Sequence, residues 1–303
     1  MVEGYGQNAY ICGMRRWMTV VLVLLPLLAC GQNRQAGQAG PEVPFWVTGP
    51  ADSLLAERIL AELAPHSAEP VPALMVRAGK ALEGQPYVAG TLDEQPGERL
   101  RIYLTRTDCI IFVETCLALA RTAAQGGDFR TFANEIRQSR YRDGRVETYA
   151  DRLHYTTEWG MQGEARGVLR DVTQELGGIK LDHPINYMSS HPDSYPLMDD
   201  VAAIRKAEDR INAEPRYYIP KNRLGKALDG IRSGDIICLV ASVKGLDISH
   251  VMMAVVENGT VRLLHASTGP MKVVIDSRTL PEYLAARSSV TGIQVLRPEA
   301  FQR

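Results

Sequence analysis

Apolar positions recur at helical spacing in two early stretches, residues 52–64 with Leu54, Leu55, Ile59 and Leu63, and residues 71–82 with Leu74, Val76, Ala78 and Leu82. Each predicts an amphipathic helix. After a turn-rich piece over 84–99, the run TDCIIFVETCLALARTAA predicts a helix over 109–123, with Asp108 placed to cap it. A further helix is expected over 128–139, followed by YRDGRVETYADRLHYTTEW (141–159), too polar and aromatic for simple core and read as a cleft-forming insertion. Residues 177–198 hold several turns, His183-Pro184 and His191-Pro192 among them, and a helix returns over 199–213. From Gly234 onward the period changes to two, in DIICLVAS, SHVMMAVV, VRLLHAS, KVVID and GIQVLRP. Helices first and strands last predict an α+β unit with a mainly antiparallel sheet, in place of alternating parallel βαβ units.

The two middle strands admit a sharper expectation. Asn258-Gly259 between apolar runs is a strong two-residue hairpin signal. With that loop, Glu257 faces Thr260, His265 faces Met252 and His250 faces Ser267. Both histidines then share one pleated face as diagonal neighbours, their Cβ atoms roughly 7–8 Å apart. A slip of one residue would separate them onto opposite faces.

Composition narrows the field. In a chain of 303 residues, 45% apolar content supports a sizeable core, and 34 Lys plus Arg against 35 Asp plus Glu leave a formal charge of −1. Such a near-neutral chain has no broad positive field for a nucleic-acid backbone, so no nucleic-acid partner is expected. At the start, Arg15 and Arg16 precede the apolar run Trp17–Ala29 and Cys30, the order of a secretory signal. The run is too short to span a bilayer as helix and Pro26 interrupts it. Leu27-Leu28-Ala29-Cys30 resembles a bacterial lipoprotein box, although Leu28 is bulkier than usual there, so lipidation at Cys30 and plain secretion both stay open. Met14 is an alternative initiator. The expected organisation is a signal peptide over 1–29, a lipidated N-terminus and tether over 30–50, and one catalytic domain over 51–303. The expected location is the cell envelope, anchored by lipid and facing the periplasm, or soluble in the periplasm.

Cys12 and Cys30 belong to the leader or its edge, which leaves Cys109, Cys116 and Cys238, an odd number in an exported chain. Cys109 falls in the first turn of its helix, where free backbone N–H groups and the helix dipole favour a thiolate. The competing reading is a small buried residue on a stripe with Val113, Cys116 and Ala120. Cys116, two turns deeper, and Cys238, within an apolar strand, fit burial better. With His250 accepting the thiol proton and His265 orienting it, a nucleophile, base and orienter are complete. No HExxH motif or closed Cys/His cluster supplies a metal site, and neither a metal nor an organic cofactor is expected.

The segments TDCIIFVETCLALA, YRDG, ADRLHY, GLDISHVMMAVV and LLHAS together resemble the bacterial N-acetylmuramoyl-L-alanine amidase-like family, over roughly Leu54 to Pro298. That family is similar to the NlpC-type cell-wall cysteine hydrolases and shares their papain-like core. The resemblance implies Cys109 as nucleophile, His250 as general base and His265 as third residue, acting on peptidoglycan or muropeptides. It implies release of the stem peptide from muramic acid; the alternatives are an endopeptidase cutting within the stem and an inactive peptidoglycan-binding lipoprotein. Met252 stands where related sequences often have Gly, which makes the cleft bulkier. Arg152, His154, Tyr155 and Trp159 are the expected substrate-binding side chains, with Asp108 as helix cap. His66, His183 and His191 are expected to be structural.

Overall fold

The structure is a computed structural model that describes residues 45–301. The leader, Cys12, Cys30 and most of the tether lie outside the described residues. In chain order the elements are β1 (Trp46–Thr48), α1 (Pro50–Leu63), α2 (Val71–Ala81), β2 (Leu100–Ile102), α3 (Cys109–Ala124), α4 (Phe129–Arg140) and α5 (Thr156–Ala165). They continue with β3 (Leu169–Asp171), β4 (Ile179–Lys180), α6 (Tyr187–Ser190), α7 (Val201–Ala213), β5 (Tyr217–Pro220) and α8 (Leu224–Ala227). The last are β6 (Ile236–Ala241), β7 (Ile248–Glu257), β8 (Thr260–Ser267), β9 (Lys272–Ile275), α9 (Leu280–Ala285) and β10 (Val290–Pro298).

The fold is mixed α+β. The main sheet has the order β4-β5-β10-β6-β7-β8-β9, with β3 also on β10, and every pairing in it is antiparallel. Its centre is covered on both sides, which explains why β6 is apolar at every position, not at alternate ones. One face, with Ile236, Cys238, Val251, Met253, Val255 and Leu264, packs against α1, α2 and α3. The other, with Ile237, Leu239, Met252, Ala254 and Leu263, packs against Leu224 and Ala227 of α8 and against Leu280, Tyr283 and Leu284 of α9. A smaller cluster joins Tyr149, Tyr155, Ile185, Met188, Ile204 and Ile211, knitting the middle of the chain together.

Several expectations are met closely. Asp108, Asp128 and Asp200 each cap a helix by accepting a backbone N–H three residues on. Asn258 and Gly259 both have positive φ, and Glu257 pairs with Thr260 in a register that runs unbroken to Met253 and Leu264. Others need correction. The packed structure begins before residue 50, because Trp46–Thr48 pairs in parallel with Leu100–Ile102. The polar segment after Tyr141 is only partly irregular: it closes in a ten-residue helix, α5, whose buried face carries Trp159 and Gly160.

Candidate active site

Cys109 is the first residue of α3 and is partly buried. Asp108, in extended conformation just before it, accepts from Ile111 N at 2.9 Å and so fixes the entry of the helix. Burial, reinforced by the Asp108 carboxylate, pushes the Cys109 thiol up to about 12, against backbone N–H donors of Val251, Ile110 and Cys109 itself that favour the thiolate. The resting group is therefore a neutral thiol. Cys116 and Cys238 are fully interior, with thiols pushed well up by burial, in keeping with packing roles. Cys238 faces Val251 across β6–β7, so the Cys109 thiol sits beside the residue that follows His250.

His250 occupies an irregularity in the ladder. Leu239 pairs with His250 but Val240 pairs with Ile248, leaving Ser249 as an extra residue whose hydroxyl donates to the Leu239 carbonyl at 3.3 Å. This bulge shifts the alternation: Ile248 and Val251 both lie on the α3 face, although three residues apart. Bulges re-aim side chains next to functional sites. Here His250 Nε2 meets His265 Nδ1 at 2.8 Å, the rings edge to face at 82°. The register inferred from the Asn-Gly loop thus does place the two histidines on one face.

His265 is wholly buried and lies edge-on to the Tyr283 ring at 5.6 Å. Burial lowers both imidazoles, His250 to about 3 with help from His265 and Arg287, and His265 to about 4 with Asp276 opposing. Both are neutral near pH 7, so one ring donates and the other accepts the shared proton. His265 Nε2 is 3.6 Å from Asp276 Oδ2, too far for a formed hydrogen bond, so the carboxylate acts on it as a charge. Asp276 escaped sequence reasoning. Its only local signal is that it closes KVVID two residues before Arg278, and its placement depends on β9 pairing with β8.

No hydrogen bond joins the Cys109 thiol to His250 among the described residues. The four residues expected in the substrate cleft are found braced to internal partners. Arg152 is buried, pairing with Asp93 and Glu98 at 2.7 Å each. His154 Nε2 lies 2.8 Å from the Tyr149 carbonyl, and its titration is lowered to about 3 by burial and then by Arg152. The Tyr155 hydroxyl donates to Glu208 at 2.7 Å and accepts from Met188 N at 2.8 Å. Trp159 Nε1 donates to Ser139 Oγ at 3.0 Å. Their polar and aromatic character reflects a buried polar network, a role that composition alone does not separate from ligand binding. His66, His183 and His191 each hold a local partner, Glu69, the Leu246 carbonyl and the Tyr187 carbonyl respectively.

Comparison with known proteins finds one family model and several solved structures. Residues 77–293 match the family model described as AmiA-like, N-acetylmuramoyl-L-alanine amidase-like. A crystal structure of an N-acetylmuramoyl-L-alanine amidase from Bacteroides uniformis is 34% identical, with a TM-score of 0.70 over 76% of this chain and 99% of that one. A Bacteroides fragilis protein whose assignment as a xylanase is provisional is 36% identical, with a TM-score of 0.67 over 72% of this chain and 98% of that one. A Legionella pneumophila protein shares the fold at 22% identity, with a TM-score of 0.64 over 82% of this chain and 94% of that one. No curated protein matches.

Proposed function

The chain belongs to the N-acetylmuramoyl-L-alanine amidase-like family, and from that premise we infer that it hydrolyses the amide joining muramic acid to L-alanine in peptidoglycan, with Cys109 as nucleophile, His250 as base and His265 as orienter. The observation that carries the residue assignment is the 2.8 Å bond between His250 Nε2 and His265 Nδ1. It engages one nitrogen of His250 and leaves Nδ1 as the nitrogen that takes up the thiol proton.

In this reading the Cys109 sulfur attacks the lactyl carbonyl carbon while its proton passes to His250 Nδ1. The oxyanion is met by the backbone N–H groups at the start of α3. Collapse breaks the C–N bond, and His250 gives the proton to the departing L-alanine amine, leaving a thioester on Cys109. Water, deprotonated by His250, then attacks the thioester; the sugar leaves with a lactyl carboxylate and the thiol is restored. In this reading the resting pair is a neutral thiol and a neutral imidazole, so attack and proton transfer go together.

Two finer readings accompany this one. A nucleophile at a helix N-terminus, packed on an antiparallel sheet that carries the base, supports kinship with papain-like NlpC-type hydrolases. The leader ending in Leu28-Ala29-Cys30 supports a lipid anchor in the cell envelope. The deciding experiment incubates the full chain with intact sacculi and with anhydro-muropeptides and identifies new ends by mass spectrometry. Free stem peptides beginning with L-alanine are expected. Cuts within the stem, or no product above a Cys109→Ala control, would overturn the assignment.

A further inference from the structure

Buried polar side-chain atoms without a hydrogen-bond partner number three among the described residues: Thr91 Oγ1, Arg137 Nε and His265 Nε2. Only the last belongs to a residue bonded to the candidate base. Its neighbour Asp276 is anchored far more firmly than a surface carboxylate. Asp276 N donates to the Leu263 carbonyl of β8 at 2.8 Å. Arg278 donates to its carboxylate through its backbone N at 2.9 Å, Nε at 2.9 Å and a terminal nitrogen at 2.7 Å. This holds the carboxyl down at about 2, fully ionised at any working pH. A fixed anion thus points at a fixed, unpartnered imidazole nitrogen, 3.6 Å away.

The surroundings make that anion distinctive. Arg278 and Arg287 lie over the Tyr283 ring at 4.7 and 4.8 Å, and Tyr283 of α9 abuts His265. Both guanidinium groups disfavour a proton on His265, and Arg287 does the same at His250. Cys109 of α3 acts electrostatically on Tyr283 and so belongs to the same neighbourhood. Among these groups Asp276 is the one that favours the proton on His265.

The proton shared by the histidines gives the anion a use. When His250 holds the thiol proton on Nδ1, its Nε2–H must donate to His265 Nδ1, which must then be bare. His265 must therefore carry its own hydrogen on Nε2. Resting on the reading that Cys109 and His250 carry out the hydrolysis, we propose that Asp276 is a positioning residue whose carboxylate selects the Nε2–H tautomer of His265, keeping His250 Nδ1 free as the base. The catalytic line then has four members, Cys109, His250, His265 and Asp276, with Arg278 locking the last in place.

The test replaces Asp276→Asn in the full chain, keeping shape and removing charge. The expected result is a fall in kcat of about 10-fold to 100-fold, as when an outer partner of a functional imidazole is removed, with KM within about twofold. Loss of a neighbouring anion makes an imidazole harder to protonate, so the acid limb of the kcat/KM profile moves to lower pH. Nitrogen-15 NMR of the imidazoles reads the tautomer directly: Nε2–H on His265 in the parent chain, and loss of that bias in Asp276→Asn. Asp276→Glu restores the bias and most of the rate. Arg278→Gln keeps the charge of Asp276 but removes the guanidinium that locks it, so the bias should weaken; an undiminished bias there overturns the locking role, which preserves a test should Asp276→Asn fail to fold. An unchanged tautomer in Asp276→Asn, whatever the rate does, overturns the proposal, as does an acid limb displaced upward. The tautomer measurement needs no turnover, so it decides the role of Asp276 even if no peptidoglycan bond is cut.

Discussion

Two buried polar clusters lie near the start of α3, and they are built to opposite standards. In the first, Arg140 donates from Nε and a terminal nitrogen to Glu114 at 2.8 and 2.6 Å and from its other terminal nitrogen to the Arg101 carbonyl. Next to it the Tyr141 hydroxyl and Arg152 converge on Glu98, and Arg152 also holds Asp93. Every guanidinium nitrogen of Arg140 and Arg152 has a partner. In the second cluster, His250 and His265 share one hydrogen bond, and His265 Nε2 has none. A saturated network fixes structure, because each charge would be costly to leave alone. The unsaturated one leaves a titratable nitrogen without a fixed partner, which suits the proton transfers of the proposed hydrolysis. Polarity and burial are common to both; completeness of pairing is what differs.

That contrast is open to breaking. The largest expected effect falls on the histidines. His250→Gln should lower kcat by about 100-fold to 10,000-fold, the usual worth of a positioned acid-base group, with a small change in urea midpoint. A variant that keeps its rate would place His250 with the scaffold. Next comes Arg140→Met, which strands Glu114 in the interior and should cost about 3–5 kcal/mol of stability, measured by urea unfolding, while the folded fraction still turns over. Loss of rate without loss of stability would move that network into the chemistry.

A pH series gives a smaller, graded effect. His154, His250 and His265 all titrate lower in the fold than the ordinary value of 6.5, at about 3, 3 and 4. As pH drops below about 6.5 the unfolded chain takes up protons that the folded chain refuses, so stability declines from there down to about pH 3. The decline should be shallower in His250→Gln, and equal slopes in the two chains would show that His250 is not held neutral by the fold. The smallest expected effect is Asp108→Ala, about 1 kcal/mol for the lost cap, read from the same unfolding curves.

What the sequence made legible follows the range of each signal. The cap at Asp108, the helix behind it and the Asn-Gly hairpin rest on contacts within a few residues, and from them came Cys109, His250 and His265 as one group. Asp276 lay beyond reach because its partner is set by β8–β9 pairing and by a loop anchored to Leu263. The β1–β2 pair was equally hidden: two three-residue strands 54 positions apart, each too short to show a period. Arg152, His154, Tyr155 and Trp159 show a different limit: their side chains suit a ligand pocket and a buried brace alike, and the partners they hold, Asp93, Glu98, Tyr149, Glu208 and Ser139, come from distant or irregular segments that no local pattern announces.

The extra residue in β7 bears on how this site tolerates changes in chain length. Removing any one residue from Val251 to Val256 would exchange the faces of everything between it and the bulge, and would turn His250 away from His265. Removing Ser249 alone would not: Ile248, His250 and Val251 would then follow one another opposite Val240, Leu239 and Cys238 in a regular ladder. The strand thus has one position where length and facing are uncoupled, immediately beside His250, and a deletion scan through β7 should find its permissive point there.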